Sequence, residues 1–266
     1  MTGRRPCVLG YMAERGVEVT GRASVPEALC AQPLLLKCGR AGEFAAVLVK
    51  GHEAMTAREP ITGVILAGGL SRRMGGGDKG LLDLGGATML GRVIDRLRPQ
   101  VGALVINANG DASRFAAFGL PVVADETADY SGPLAGILAG MRWSLAHVPA
   151  VRHIATVSSD APFLPTDLVA RLSPAIGDRP DQIALARSAG EVHPVIGVWP
   201  VALADDLQAR LAAGTRKIMA WAERHATVQV DFAEIDIGGR KVDPFFNANT
   251  PEDLALARTL LGGDQP

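Results

Sequence analysis

An α/β fold built on a largely parallel sheet is what the sequence predicts from residue 61 onward, and three observations carry that expectation. Short β-branched runs alternate with segments of helical periodicity, the mark of βαβ units. The helical segments gather their apolar residues on one face. Polar residues such as Asn107, Asp125 and Asp160 fall at or just after the carboxyl ends of strands, where open α/β folds bind ligands.

Strands are expected at 61–66, 103–107, 121–124, 153–158, 182–187, 192–199 and 226–231, with helices in the gaps. The helix 88–98 has Thr88 as its cap and Met89, Leu90, Val93, Ile94 and Leu97 along one face. Gly132 to His147 and Pro165 to Ala175 carry similar stripes, and the second opens with proline, a residue favoured in first turns. Thr250-Pro251-Glu252-Asp253 reads as the capped start of a helix running to Leu260. A domain of about 200 residues buries roughly 70% of its unfolded surface, so such a domain holds a core without staples.

Residues 1–60 read differently. They hold all three cysteines, Cys7, Cys30 and Cys38, show weak periodicity, and carry apolar runs such as Pro33 to Leu36 and Phe44 to Val49. The expected organisation is therefore an N-terminal extension of unassigned role over 1–60 and one domain over 61–266. Met55, followed by Thr-Ala-Arg-Glu-Pro, stands just before the first strand and offers an alternative start of synthesis.

With 27 basic and 28 acidic residues the formal net charge is −1, so no global field draws in nucleic acid or an anionic membrane, and neither is an expected partner. Any anion site must be local. The domain from 61 onward has no cysteine for a disulfide framework or a zinc site, which fits a reducing cytosol, and a cytoplasmic location is expected. Arg4 and Arg5 precede a short apolar run, Cys7 to Met12, that Glu14 and Arg15 end before it reaches the length of a secretory core. No run approaches the ~20 apolar residues of a membrane span.

The first strand leads directly into LAGGLSRRMGGGDKG, residues 66 to 80, which packs six glycines around Arg72, Arg73, Lys79 and Asp78. Glycines after a strand let backbone N–H groups approach an anion closely, and phosphate is the usual guest. Two named motifs fail. A P-loop needs glycine before its lysine and a hydroxyl after it, whereas Asp78 precedes Lys79 and Gly80 follows. Gly75 to Gly80 matches G-x-G-x-x-G, but it begins well past Leu66, and Asp95, twenty positions on, lies on an amphipathic helix rather than at a strand end. A lysine held ~4 Å from a phosphate oxygen gains on the order of 4 kcal/mol at an effective dielectric of about 20, so the loop reads as a triphosphate grip.

That loop resembles the signature of the molybdenum cofactor guanylyltransferases, the MobA family, which join GMP to molybdopterin. The likeness continues through VINAN (105–109), ADETADYSGPLAGI (124–137), SSDAPFLP (158–165), HPVIGVW (193–199) and FFNANTPEDLA (245–255), and spans 61–260. It implies a three-layer, Rossmann-like, mostly parallel sheet with helices on both faces, of the nucleotidyltransferase type. It also implies contacts to GTP from Leu66, Ala67, Gly68, Gly69, Lys79, Asn107, Asp125 and Asp160, with Asp160 as the Mg²⁺ ligand and Arg73, Lys79 and Asp160 as the catalytic set.

Magnesium takes oxygen ligands, commonly one or two carboxylates plus substrate phosphates, which suits a lone aspartate. Asn247 and Asn249 can complete the metal shell or, in the case of Asn249, belong to the turn before Thr250. Asn107 and Asp125 can accept from guanine N1–H and the 2-amino group, and taken singly each also suits a turn. Gly132 to Gly136 opens a helix whose N-terminus can face an anion or simply pack closely on the sheet. His193, Arg187, Arg216 and Lys217 lie where the family places its pterin. Lys217 departs from the paired arginines common there, keeping charge but losing bidentate phosphate recognition.

The expected reaction is GMP transfer from GTP to Mo-bound molybdopterin with release of pyrophosphate, and a molybdoenzyme or cofactor chaperone is a possible recipient of the product. The alternatives are transfer from CTP to molybdopterin, transfer from an NTP to a sugar phosphate, and a non-catalytic nucleotide or pterin carrier.

Overall fold

The structure is a computed structural model that describes residues 60–68, 78–126, 132–177 and 179–262 in full, together with the backbone of 35–37 and 44–46. The chain divides into two compact units, Met1–Ala57 and Arg58–Pro266. In the first, β1 (Leu35–Lys37) and β2 (Phe44–Ala46) pair antiparallel, with Leu35 opposite Ala46.

The second unit is built on a seven-stranded sheet. Its strands are β3 (Thr62–Leu66), β4 (Ala103–Asn107), β5 (Val122–Val123), β6 (His153–Ser158), β7 (Ile183–Ser188), β8 (Glu191–Pro200) and β9 (Thr227–Phe232). They lie in the order β5-β4-β3-β6-β8-β7-β9, and β8 alone runs against the rest. All seven coincide with expected strands to within a residue or two.

The strands are legible because both faces of the sheet are covered, which turns them into nearly continuous apolar runs. Successive residues still alternate between faces. Ile65 packs with α1 (Met89–Leu97) and α3 (Leu168–Ile176), through Leu90, Val93, Leu97, Leu168 and Leu172. Its neighbours Val64 and Leu66 pack on the other face with α2 (Pro133–His147), α4 (Ala204–Ala212) and α5 (Ile218–Ala222). This gives three layers. A third apolar cluster joins Leu84, Met89 and Phe163 to α6 (Pro251–Gly262) through Leu254, Ala257 and Leu260.

Helix starts follow their caps. Thr88 accepts from Gly91 N at 3.0 Å, and at α6 the exchange is reciprocal: Thr250 Oγ1 accepts from Asp253 N at 3.1 Å while Asp253 accepts from Thr250 N at 2.9 Å. The expectation for Pro165 is corrected. Helix α3 begins at Leu168, and Pro165 sits in the preceding turn, its carbonyl accepting from Leu168 N and from Gln100 Nε2. Gln100 caps the helix from another segment by accepting from Val169 N at 2.9 Å, a long-range device no local pattern announces. A further hairpin, β10 (Ile235–Ile237) with β11 (Arg240–Val242), is not among the expected strands.

Two features of the sheet shape its carboxyl rim. The register aligns Val123, Asn107, Leu66 and Ser158 across four neighbouring parallel strands. Beyond the pair Thr156–Gly197, β6 and β8 part, because the pairing of β8 with β7 skips from Gly197 to His193 and leaves Pro194 to Ile196 as a bulge. The β7–β8 connection is a two-residue turn, Ala189-Gly190, with φ of 48° and 85°.

The cap at α1 is open to test. Thr88→Ala is expected to lower unfolding free energy by about 1 kcal/mol, read from the urea midpoint at unchanged m-value.

Candidate active site

The rim where β3, β4, β5 and β6 end gathers most of the polar residues expected at a site. After Leu66, Ala67 N donates to Asn107 O at 2.8 Å and Ser159 N donates to Leu66 O at 3.2 Å, which ties the start of the glycine loop to both neighbouring strands. Gly69, Arg72 and Arg73 lie outside the described residues. The chain is described again from Asp78, which forms an ion pair with Arg114. A single 3-10 turn, Lys79–Leu81, follows, with Gly80 buried against Leu90 and Ser159.

This turn delivers Lys79 to the end of β6. Its ammonium donates to Asp160 Oδ2 at 2.9 Å and to Asn249 Oδ1 at 2.6 Å, joining segments 81 and 170 residues away. The Lys79 and Asp160 side chains are 14% and 19% exposed, so solvent screens the pair only partly. Ser158 Oγ donates to Asp160 Oδ1, and the Asp160 carbonyl accepts from Ala248 N at 3.2 Å. Two hard oxygen donors, a carboxylate and an amide carbonyl, thus converge on one cationic point. Such a donor set suits magnesium as well as an ammonium.

Asn249 also donates its backbone N–H to Asp253, so it belongs to the turn and to the cluster at once. Asn247 is exposed and lies outside that cluster.

A second polar group stands on the other side of β3. Asn107, 4% exposed, donates to Val123 O at 3.1 Å and to Asp125 Oδ1 at 2.9 Å. Asn109 donates to Asp125 Oδ2 at 2.7 Å and accepts from Asp125 N at 2.8 Å, while Arg114 donates to the Asn109 carbonyl at 2.6 Å. Both carboxylate oxygens are therefore oriented by amides, and each keeps a lone pair for a further donor. Gly136 makes this possible: a Cβ there would stand 2.2 Å from Asn107 Oδ1. Close packing of α2 is thus an observed role of the small residues at its start.

Toward β8, His193 Nε2 lies 2.6 Å from Ser188 Oγ and 3.9 Å from Asp243 Oδ2, and its ring packs 4.8 Å from that of Phe245. Ser188 Oγ donates to Asp243 Oδ1 at 2.7 Å, so the Ser188 oxygen accepts from a protonated Nε2 and the neutral ring is the Nε2–H tautomer. Burial holds the His193 pKa below its ordinary value, against the opposing pull of Asp243 and Glu191. Arg187, at the end of β7, faces Asp231 at 3.5 Å; exposed Arg216 donates to the Leu211 and Thr215 carbonyls, and exposed Lys217 precedes α5. Asn109, Arg114, Ser158, Ser188 and Asp243 are not among the residues singled out from sequence. Asn109 and Ser158 sit inside recognised blocks, whereas the others become visible only through contacts distant in sequence.

A mostly parallel sheet covered by helices on both faces, with a glycine-rich sequence after its first strand and a lysine–aspartate pair at its carboxyl rim, defines the nucleotidyltransferase class. The chain belongs to the MobA-like NTP transferase family, whose domain matches residues 63–228. It is similar to the molybdenum cofactor guanylyltransferase of Mesorhizobium japonicum, 47% identical over 205 residues that cover 77% of this chain and 97% of that one. The enzyme of the same name from a Bradyrhizobium species is 50% identical over 201 residues, 75% of this chain and 92% of that one. Among solved structures, molybdopterin-guanine dinucleotide biosynthesis protein A of Archaeoglobus fulgidus shares the fold, with a TM-score of 0.59, 21% identity, and coverage of 77% of this chain and all of that one. The 4-diphosphocytidyl-2C-methyl-D-erythritol synthase of Anaerococcus prevotii shares it at a TM-score of 0.58 and 12% identity, over 77% and 96% of the two chains.

The lowered His193 pKa sets a sign for stability. Between its folded value and the ordinary 6.5, the unfolded chain binds more protons, so stability falls as pH drops through that window. In urea titrations at pH 7.5 and 5.5, wild type is expected to lose more stability on acidification than His193→Gln, whose amide still donates to Ser188.

Proposed function

We propose that this chain transfers GMP from GTP to the terminal phosphate of Mo-bound molybdopterin, forming molybdopterin guanine dinucleotide and releasing pyrophosphate. The observation that carries the reading is the meeting of Lys79, Asp160 and Asn249 at the carboxyl rim beside the glycine loop. The names of the close relatives supply the substrate pair.

A phosphate oxygen of the pterin forms a bond to the α-phosphorus of GTP while the bond from that phosphorus to the bridging oxygen of pyrophosphate breaks. The nucleophile is already an anion, so no proton relay is needed; the protein aligns the reactants and neutralises charge. Asp160 and Asn249 would hold a magnesium ion, which would supply charge neutralisation for the triphosphate and the departing pyrophosphate. Lys79, released from the carboxylate, turns to a phosphate oxygen. The backbone of Leu66, Ala67, Gly68 and Gly69 cradles the phosphates with Arg73. Asp125 reads the guanine edge, its carboxylate oriented by the buried Asn107 on one oxygen and by Asn109 on the other. Product passes to a molybdoenzyme or a cofactor chaperone in the cytoplasm.

The deciding assay incubates the protein with GTP, Mg²⁺ and molybdopterin and identifies the guanine dinucleotide by mass, with CTP alongside. Formation of the cytosine dinucleotide instead would overturn the guanine assignment. Lys79→Ala is expected to lower kcat by about 100-fold. Asp160→Asn is expected to shift the Mg²⁺ titration to higher concentration, and an unchanged titration would remove Asp160 from the metal site.

A further inference from the structure

The Ser188–His193–Asp243 group resembles a hydrolytic relay in composition only. Ser188 is 2% exposed and its hydroxyl proton is committed to Asp243, so it offers no nucleophile. Its geometry serves something else. Asp243 opens the segment that links β11 to α6 and carries Asn249. Contacts at both ends hold that segment. At its start, Asp243 Oδ1 accepts from Ser188 Oγ at 2.7 Å and from Phe245 N at 2.8 Å, and the Asp243 carbonyl accepts from Phe246 N at 3.0 Å. Phe245, 1% exposed, is driven between His193 and Phe232, with ring centroids at 4.8 and 5.1 Å. In its second half, Ala248 N binds the Asp160 carbonyl at 3.2 Å, and Asp253 receives the amides of Asn249 and Thr250 at 2.9 Å each.

Only the first of these polar ties reaches the far side of the sheet, bridging 55 residues to the end of β7. We propose that Ser188 and Asp243 are positioning residues: their hydrogen bond braces the 243–250 segment against β7 so that Asn249 meets Lys79 and Asp160 in register. A displacement of about 1 Å at such a cluster is enough to cost two orders of magnitude in rate, so a brace that acts through Asn249 governs turnover. The proposal rests on the reading of Lys79, Asp160 and Asn249 as the transfer site.

The test is a double-mutant cycle on the full chain, with Ser188→Ala and Asn249→Ala alone and combined. Two readouts are taken: kcat/KM for dinucleotide formation, and the dissociation constant for GTP in Mg²⁺ by calorimetry. Each single variant is expected to weaken both by about tenfold, and the pair to be within about twofold of Asn249→Ala, because both act through one contact. Asp243→Ala, which also removes the acceptor of the Phe245 amide, should lose at least as much as Ser188→Ala and show the same coupling to Asn249→Ala, so its cycle answers the same question if Ser188→Ala fails to fold. Asp243→Asn, which keeps the acceptor oxygen, should restore near wild-type values. Multiplicative losses, or a Ser188→Ala variant that loses only thermal stability, would overturn the brace. A wild-type protein that binds GTP yet forms no dinucleotide would overturn the reaction proposed above, while the binding cycle still tests the brace; failure to bind GTP at all would overturn both.

Discussion

Three distant segments meet at the carboxyl rim on one ammonium group held between two oxygens. Lys79 reaches Asp160 at 2.9 Å and Asn249 at 2.6 Å, and the three come from the 3-10 turn Lys79–Leu81, the end of β6 and the segment before α6. Partly buried ion pairs gain Coulomb energy but lose hydration, and the two nearly offset, so the contact does little to hold the fold together. Its consequence is spatial. It fixes where a positive charge and a carboxylate stand relative to one another, and it does so with side chains that can exchange partners without moving the sheet.

The sheet supplies the frame on which that contact works. Register between parallel strands sets Asn107, Leu66 and Ser158 side by side, so polar groups at strand ends share one edge. The single reversed strand, β8, then breaks away from β6 at its bulge, and the rim changes character there. On the β3 side, turns and amides dominate. Past β6, the edge is made of side chains, His193 bonded to Ser188 and Ser188 in turn to Asp243.

How much of this is legible follows from how local each signal is. Strands covered on both faces, and helices such as α1 with Thr88 at their head, announce themselves in runs and stripes. Asp160, Asn107 and Asp125 are expected at strand ends, and they lie there. Pro165 misleads because it stands in the turn before α3, its carbonyl taking the Leu168 amide, while the Val169 amide is capped by Gln100, a residue from a different segment. The β10–β11 hairpin has its signal in Gly238-Gly239, but its strands are three residues long with Ile235 and Ile237 only half-buried, too short for a clear alternation. The direct Lys79–Asp160 pair, the double amide clamp on Asp125 and the Ser188–Asp243 bond span 81, 16 to 18, and 55 residues. No periodicity carries information over such separations.

The Ala189-Gly190 turn fixes a quantity that surface connections ordinarily leave to drift, namely their length. Both positions are left-handed, at φ 48° and 85°, and the turn closes Ser188 directly against Glu191. One inserted residue would slide β8 against β7 by a step, and because side chains alternate between faces, His193 would change sides with it. Homologous chains that retain serine and histidine at these two places should therefore show no insertion or deletion between them, however freely their other exposed connections vary.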